Sequence, residues 1–366
     1  ARKNAEVSAS VHTAAALSLA GGVLMTLLSY FFLPNFLVTM GTPVEILDQA
    51  STYTRIISLG MLPSLIYNIG SGILRAIGDS RRPLYFLIAC CLFNIVADVL
   101  LVVGANMGVA GAALATILSQ LLSAVLVIVT LCRTQQSYQL RPQEIRFHGA
   151  ILQRILQIGF PAGLQSVLYS VSNIIIQASM NVFGTDVLAA WTAYGKLSDL
   201  YWMIISAFGI AITTFTGQNF GAGNMKRCRK IFWLCLLFGF GFTEILSVIF
   251  IVWEDFFVSI YTTSAAVAAY GIIRMDRVCA LEGLTATYEV ASSCLRGTGK
   301  SLEPSVITIL GTVVFRLIWL TTIFRMFTTY DMLMNVYVAS WLFTGCSMFV
   351  VYFFHMRKMD KLFAAR

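Results

Sequence analysis

Charge is scarce in this chain. Only 11% of its 366 residues are Asp, Glu, Lys or Arg, against about 25% in an ordinary soluble domain, while 58% are hydrophobic. A soluble fold of this make-up has too little polar surface to cover itself. Histidine is rarer still: His12, His148 and His355 all sit near predicted loop ends. No nucleophile motif, phosphate-binding Gly-rich loop, CxxC pair or Cys/His metal spacing occurs, which argues against an enzyme and against ATP-driven pumping by this chain alone. The eight cysteines fall mostly in apolar segments, as Cys90, Cys91, Cys235 and Cys346 do, and are expected as reduced, packed thiols. The net charge of +8 comes from short basic clusters between apolar segments, not from a stripe that would track nucleic acid. There is no initiating methionine and no signal-peptide pattern at Ala1.

Long apolar runs are what the chain has in abundance. Spans are read near 12–34, 46–73, 83–104, 108–131, 154–183, 187–218, 231–252, 264–294, 304–325 and 332–354. A span of about 20 apolar residues crosses a hydrocarbon core, so the expected fold class is an all-α polytopic bundle. Spans above that length predict tilted or kinked helices, with Pro63 and Pro161 as kink points. The connections test the count independently. One set holds Arg2 and Lys3; Arg75, Arg81 and Arg82; Arg133, Arg141, Arg146 and Arg154; Lys226, Arg227, Arg229 and Lys230; Arg296 and Lys300; and Arg357, Lys358, Lys361 and Arg366. The alternate set holds only Arg325. Basic residues collect on the cytoplasmic side, so both ends of the chain are expected there.

Leu74-Arg75-x-x-Gly78-x-Ser80-x-x-Pro83 returns 221 residues later as Leu295-Arg296-x-x-Gly299-x-Ser301-x-x-Pro304. Both copies fall on predicted cytoplasmic turns, the pattern of a parallel repeat. Gly permits the tight turn and Pro opens the next helix. The second half has six spans and the first only four, so the expectation is an N-terminally truncated twelve-helix protein. The divisions read are 1–133, a four-helix N-lobe remnant; 134–153, a cytoplasmic linker with an amphipathic surface helix over Arg146 to Gln157; and 154–366, a six-helix C-lobe.

Asp98 stands out because a carboxylate inside an apolar span is costly and points to function. Asn94 lies one turn earlier on the same face. Six residues separate Asp98 from the predicted outer end at Gly104, a depth of roughly 9 Å. A carboxylate and an amide oxygen are hard ligands suited to Na+, and a desolvated carboxylate can equally carry a proton. Packing specificity is the plainer alternative. Lys196 and Asp199 are one turn apart near mid-membrane and are expected as an ion pair or as part of a path. Arg274, Asp276, Arg277, Glu282 and Glu289 crowd one span, which suggests a wet cavity, and Arg316 is expected to pair with one of these acids. Tyr169, Trp191, Tyr194, Tyr201 and Trp202 offer a cage for organic cations, although most aromatics in such a chain serve packing or interfacial belts.

Taken in order, Leu74 to Ser80 with Pro83, Asn94-x-x-x-Asp98, Gly108 to Thr116, Gly159-Phe160-Pro161-Ala162-Gly163-Leu164, Gly217 to Asn224 and Leu295-Arg296-Gly297-x-Gly299 make the chain resemble the multidrug and toxic compound extrusion (MATE) transporters, and within them a bacterial DinF-like branch. The resemblance implies two lobes around a cavity, alternating access, and export of organic, often cationic, compounds in exchange for Na+ or H+, with no other cofactor. It implies a cation site of Asn94, Asp98 and Thr116 with an Asp from a first helix that this chain does not contain; back-bonding within its own helix is the competing role for Thr116. The essential acid that another branch carries on its seventh helix matches Tyr169 here, against that mechanism. The second-half positions matching Asn94 and Asp98 are Phe315 and Trp319, so coupling is expected in the N-lobe alone. The expected substrate path comprises Tyr169, Asn173, Lys196, Asp199 and Arg316. A monomer in the cell membrane is expected, with small organic substrates and no nucleic-acid partner. A lipid-linked saccharide flippase of the same superfamily, or more remotely a non-transporting membrane receptor, is the rival.

Overall fold

The structure is a computed structural model that describes residues 2–39 and 42–364. It divides into two compact units, Ala1–Ile155 and Leu156–Arg366. The described residues form helices and turns, without strands. Among the described residues, seven helices are long and apolar enough to cross a membrane, and an eighth span is gained if a pair bent by 40° counts as one.

In unit 1, α1 is Arg2–Thr39, α2 is Val44–Leu59, α3 is Met61–Ala76, α4 is Arg81–Asp98 and α5 is Gly108–Arg133. Between α4 and α5 the helix widens to a π turn over Val99–Gly104. The bend between α2 and α3 falls at Gly60, and its cause lies three residues on. Pro63 has no N–H to offer the Leu59 carbonyl, so the helix is interrupted one turn before the ring. Helix α1 packs on α2 and α3, while α5 packs on α2, α3 and α4. Their shared core is small: Val11, Tyr67, Leu74, Val127, Leu131 and Leu140. Most remaining apolar side chains on these helices are exposed, as lipid contact requires.

Buried His12 ties the stretch after α5 back to α1. Its Nδ1–H donates to the Ser8 carbonyl at 2.7 Å, which leaves Nε2 to accept the Arg141 N–H at 3.1 Å. Thr13 Oγ1 accepts the His148 N–H at 3.2 Å. The surface helix expected over Arg146 to Gln157 does not form as a separate element. Residues 146–148 are irregular, and from Gly149 onward the segment is the first part of a long helix.

That helix, α6, spans Gly149–Ser179 with Pro161 inside it. After it come α7 (Thr185–Gly221), α8 (Met225–Val252), the short α9 (Glu254–Ser259), α10 (Ala265–Arg277) and α11 (Gly283–Gly297). The last span is built from α12 (Leu302–Thr308), a π turn (Ile309–Val314), α13 (Phe315–Thr321) and α14 (Ile323–Met326), and α15 (Tyr330–Ala364) closes the unit. Within unit 2, α11 is central, packing on α7, α8 and α15. Along α6 only Ser172 and Ile176 are buried, so this helix stands off from its neighbours.

The sequence repeat is also a repeat of backbone. α2 and α10 begin 221 residues apart, α3 and α11 end 221 apart, and α4 and α12 begin 221 apart. Gly78 and Gly299 both take positive φ, +93° and +86°, which L side chains avoid. In each turn the same two hydrogen bonds close the helix: Asp79 N–H to Leu74 O (2.9 Å) with Gly78 N–H to Arg75 O (2.9 Å), and Lys300 N–H to Leu295 O (3.0 Å) with Gly299 N–H to Arg296 O (2.9 Å). This is a Schellman-type cap.

Candidate functional site

Two cavities lie in unit 2 beside α6. The first, about 260 Å³, is walled by Tyr169 and Asn173 of α6, Trp191, Tyr194, Asp199 and Trp202 of α7, Arg274 of α10, Glu282, and Tyr337 and Trp341 of α15. The second, about 370 Å³, is lined by Gln165, Ser166, Ser206, Tyr288, Glu289 and Arg296. Tyr169 and Trp202 belong to both walls and meet edge to face, with ring centroids 5.7 Å apart. In the second cavity Arg296 donates to Gln165 Oε1 at 2.7 Å and lies 3.6 Å from Glu289, which also accepts from Ser293 at 3.2 Å.

The first cavity gathers most of the residues expected to form a path. Tyr169, Asn173 and Asp199 line it. Arg316, fully buried, donates to Asn173 Oδ1 and to Ser340 Oγ, each at 3.1 Å. It does not pair with an acid, contrary to expectation, because α15 and α6 bring it a hydroxyl and an amide instead. Lys196 is exposed and does not line this cavity. Among the described residues it forms no ion pair with Asp199. Their spacing permits contact on a helix face but does not enforce it. Of the acid-rich span, Arg277 pairs with Asp331 at 3.2 Å, both exposed.

The aromatic residues divide the same way. Tyr169, Trp191, Tyr194 and Trp202 face the cavity. Tyr201 belongs to a core cluster, 5.5 Å from the Phe250 ring and bonded to Cys279 Sγ. The cage expected for a foreign cation holds one of the protein's own: Arg274 Cζ lies 3.4 Å from the Trp191 centroid and 4.1 Å from that of Tyr194.

In unit 1, Asp98 is the last residue of α4, half-buried, with the π turn directly after it. Single π turns recur at functional sites, and here the turn replaces the regular rise from which the depth of Asp98 follows. Half-buried Asn94 has its Nδ2 buried without a hydrogen-bond partner. Thr116 lies on α5, the helix against which α4 packs, and donates back to the Ala112 carbonyl at 3.0 Å. Its hydroxyl oxygen keeps lone pairs free to accept or ligate.

Some members of the site were not singled out from the sequence. Tyr337 and Trp341 reach the first cavity from α15. Outside both cavities, half-buried Glu244 of α8 accepts the Gly283 N–H at 3.0 Å where α11 begins. An acid at 244 in an otherwise apolar run was the available signal.

Helices long and apolar enough to cross a bilayer, with buried charge and polar cavities among them, are the make-up of a multi-pass membrane protein. Its sequence matches the MatE family over residues 1–100 and 161–321, and the chain belongs to that family of multidrug efflux transporters. Two relatives from Bacillus subtilis (strain 168) are the probable multidrug resistance proteins YoeA, 24% identical over 84% of this chain and 68% of the relative, and YpnP, 27% identical over 92% and 75%. The probable multidrug resistance protein NorM of Thermotoga maritima is 24% identical over 72% of this chain. The match spans only 58% of NorM's own length. Among solved structures, an outward-facing multidrug resistance MATE family transporter of the MOP superfamily superposes with a TM-score of 0.89 at 21% identity, covering 98% of this chain and 82% of that one. A MOP superfamily transporter from Pyrococcus furiosus gives 0.88 at 21%, covering 99% and 81%. These likenesses establish the fold.

Proposed function

We propose that the protein to which this chain belongs is a secondary active transporter that exports organic, often cationic, compounds across the cell membrane in exchange for Na+ or H+ by alternating access. Both chain ends face the cytoplasm in this reading, as the basic connections indicate. The coupling ion binds at Asn94 and Asp98, with the Thr116 oxygen as a further ligand. The observation that carries it is a half-buried carboxylate one helical turn from a buried amide without a partner, on an apolar helix that ends in a π turn. The Asp98 carboxylate and the side-chain oxygens of Asn94 and Thr116 are hard acceptors suited to a cation or, at Asp98, to a proton, and the unpartnered Asn94 Nδ2 shows that the surrounding helices do not hold this amide through its donor. The chain is read as 1–133, linker 134–153 and 154–366, with substrate passing along Tyr169, Asn173 and Asp199 of α6 and α7. Arg316 positions the Asn173 amide. The flippase reading calls for a broadly basic cavity, and the first cavity sets Asp199 and Glu282 beside a single lining arginine.

The test is dye efflux from vesicles holding the full-length protein, under separately imposed Na+ and proton gradients. Asp98→Asn is expected to lower gradient-driven efflux at least tenfold. Efflux that survives the substitution under both gradients removes Asp98 from the coupling site.

A further inference from the structure

Among the described residues, Arg274 is a buried charge without a polar partner. It is 5% exposed, yet its Nε and Nη1 have no hydrogen-bond partner and it forms no ion pair among the described residues. What holds it is aromatic: Trp191 and Tyr194 cover its faces, and Tyr337 lies at 5.9 Å. Stacking covers the faces of a guanidinium and leaves its edge donors unpartnered. Nε and Nη1 are closed off from solvent, so Arg274 meets the cavity through the Nη2 end of that edge, and an anion drawn to it engages the fork as the side chain turns on its rings. A second guanidinium lies on the same ring, since Arg316 Cζ is 4.6 Å from the Tyr337 centroid and its Nη2 is also unpartnered.

The charge balance points the same way. Arg274, Arg316 and Glu282 are the Arg and Glu side chains that are buried among the described residues, which leaves an excess of one positive charge. Glu282 neutralises at most one of the two arginines, and it does so at a distance, because its Oε2 is itself unpartnered. Asp199 shares the wall but is exposed and unpaired with Arg274. Burying an uncompensated guanidinium is costly, and a planar fork of N–H donors matches an oxyanion bidentately.

We infer that the first cavity binds the carboxylate of an organic anion on the Arg274 edge, with the anion's ring against Trp202 and Trp341. The aromatic box, being filled by Arg274, is an anion receptor and not a cage for foreign cations. This keeps the transport reading but replaces its cationic preference, at this wall of the substrate path, with a preference for organic anions. It rests on that reading only for calling the ligand a substrate. Coupling at Asp98 plays no part in it.

The experiment is equilibrium binding to the full-length protein in nanodiscs without any gradient, using radiolabelled benzoate as probe and benzyl alcohol and benzyltrimethylammonium as competitors. Benzoate is expected to bind saturably, at least tenfold more tightly than benzyl alcohol, with the ammonium compound no better than the alcohol. Arg274→Gln should weaken benzoate at least tenfold and leave benzyl alcohol unchanged, and Arg274→Lys should restore only part of the loss. Equal affinity for benzoate and benzyl alcohol, or tighter binding of the ammonium compound, overturns the proposal. So does full benzoate affinity in Arg274→Gln. If Arg274→Gln fails to fold, the wild-type ranking of the three compounds decides alone. Acetate binding as well as benzoate overturns the placement of the ring. Because binding is read and not flux, failure here leaves the Asp98 reading standing, and loss of coupling at Asp98 leaves this one standing.

Discussion

Each unit carries the same turn, and the two copies have kept its backbone while exchanging its charges. Asp79 pairs with Arg82 at 3.3 Å in the first, and at the matching positions Lys300 pairs with Glu303 at 2.8 Å in the second. Asp79 is half-buried and the other three charges are exposed, and ion pairs so open to solvent contribute at most about 1 kcal/mol, so the sign is free to drift. Glycine at positive φ is not free, and it is retained in both. The interiors differ more deeply. Where unit 1 has Asn94, Ile95 and Asp98, unit 2 has Phe315, Arg316 and Trp319; where unit 2 buries Arg274 and Glu282, unit 1 has Tyr53 and Met61. Each unit sets a π turn beside its charged residue, after Asp98 in one and before Phe315 and Arg316 in the other. The scaffold is duplicated and the chemistry is divided: a carboxylate and an amide in unit 1, guanidinium groups in unit 2.

The largest effect expected from this division is on stability. Arg316→Ala deletes two charged hydrogen bonds and a long buried side chain, a loss of about 3 kcal/mol. Ile95→Ala at the matching place, where Ile95 is 55% exposed, should cost less than about 0.5 kcal/mol. Thermal unfolding in detergent measures both, and similar shifts would erase the difference between the interiors. The turns predict the opposite outcome. Gly78→Ala and Gly299→Ala meet no neighbouring atom within 4 Å of the added Cβ, so each cost is the positive φ alone, about 1 kcal/mol, and the two shifts should agree. Unequal shifts would mean that the copies are not equivalent as caps.

The spans, the alternation of basic connections and the repeat were legible because each is periodic along the chain. Among the described residues, ten helical rods, four of them beginning and ending in unit 1, follow the expected segments. Breaks were less legible. Pro63 signalled a bend, but its position at Gly60 depends on which carbonyl loses its donor. Neither π turn has a local signature in Val99–Gly104 or Ile309–Val314. In the site, Asp98 announces itself by charge in an apolar run, and so do Arg274 and Arg316. Partners do not, because they are settled by packing between helices distant in sequence. Hence Arg316 finds Asn173 and Ser340 where an acid was expected, Lys196 and Asp199 stay apart despite their spacing, and Tyr337 and Trp341 enter the cavity without any signal that separates them from packing aromatics.

The smallest effect concerns Glu254, at the start of the short helix α9, where unit 1 has Leu33 at the matching position. Burial pushes its carboxyl above the usual range, and Asp276 and Asp255 push it further. Its Oε2 is buried without a hydrogen-bond partner. An acid whose folded pKa lies above its unfolded value costs stability at any pH where it is ionised, and the cost vanishes below the unfolded pKa, where both states hold the proton. Glu254→Gln should therefore raise the unfolding temperature at pH 8 and leave it unchanged at pH 4. Because the residue is only partly buried, solvent screening keeps the gain to about 1 °C. Differential scanning at the two pH values checks the sign. A fall in the unfolding temperature at pH 8 that vanishes at pH 4 would mean that the ionised carboxylate is held by a favourable partner, and that unit 2's surplus of buried positive charge reaches as far as α9.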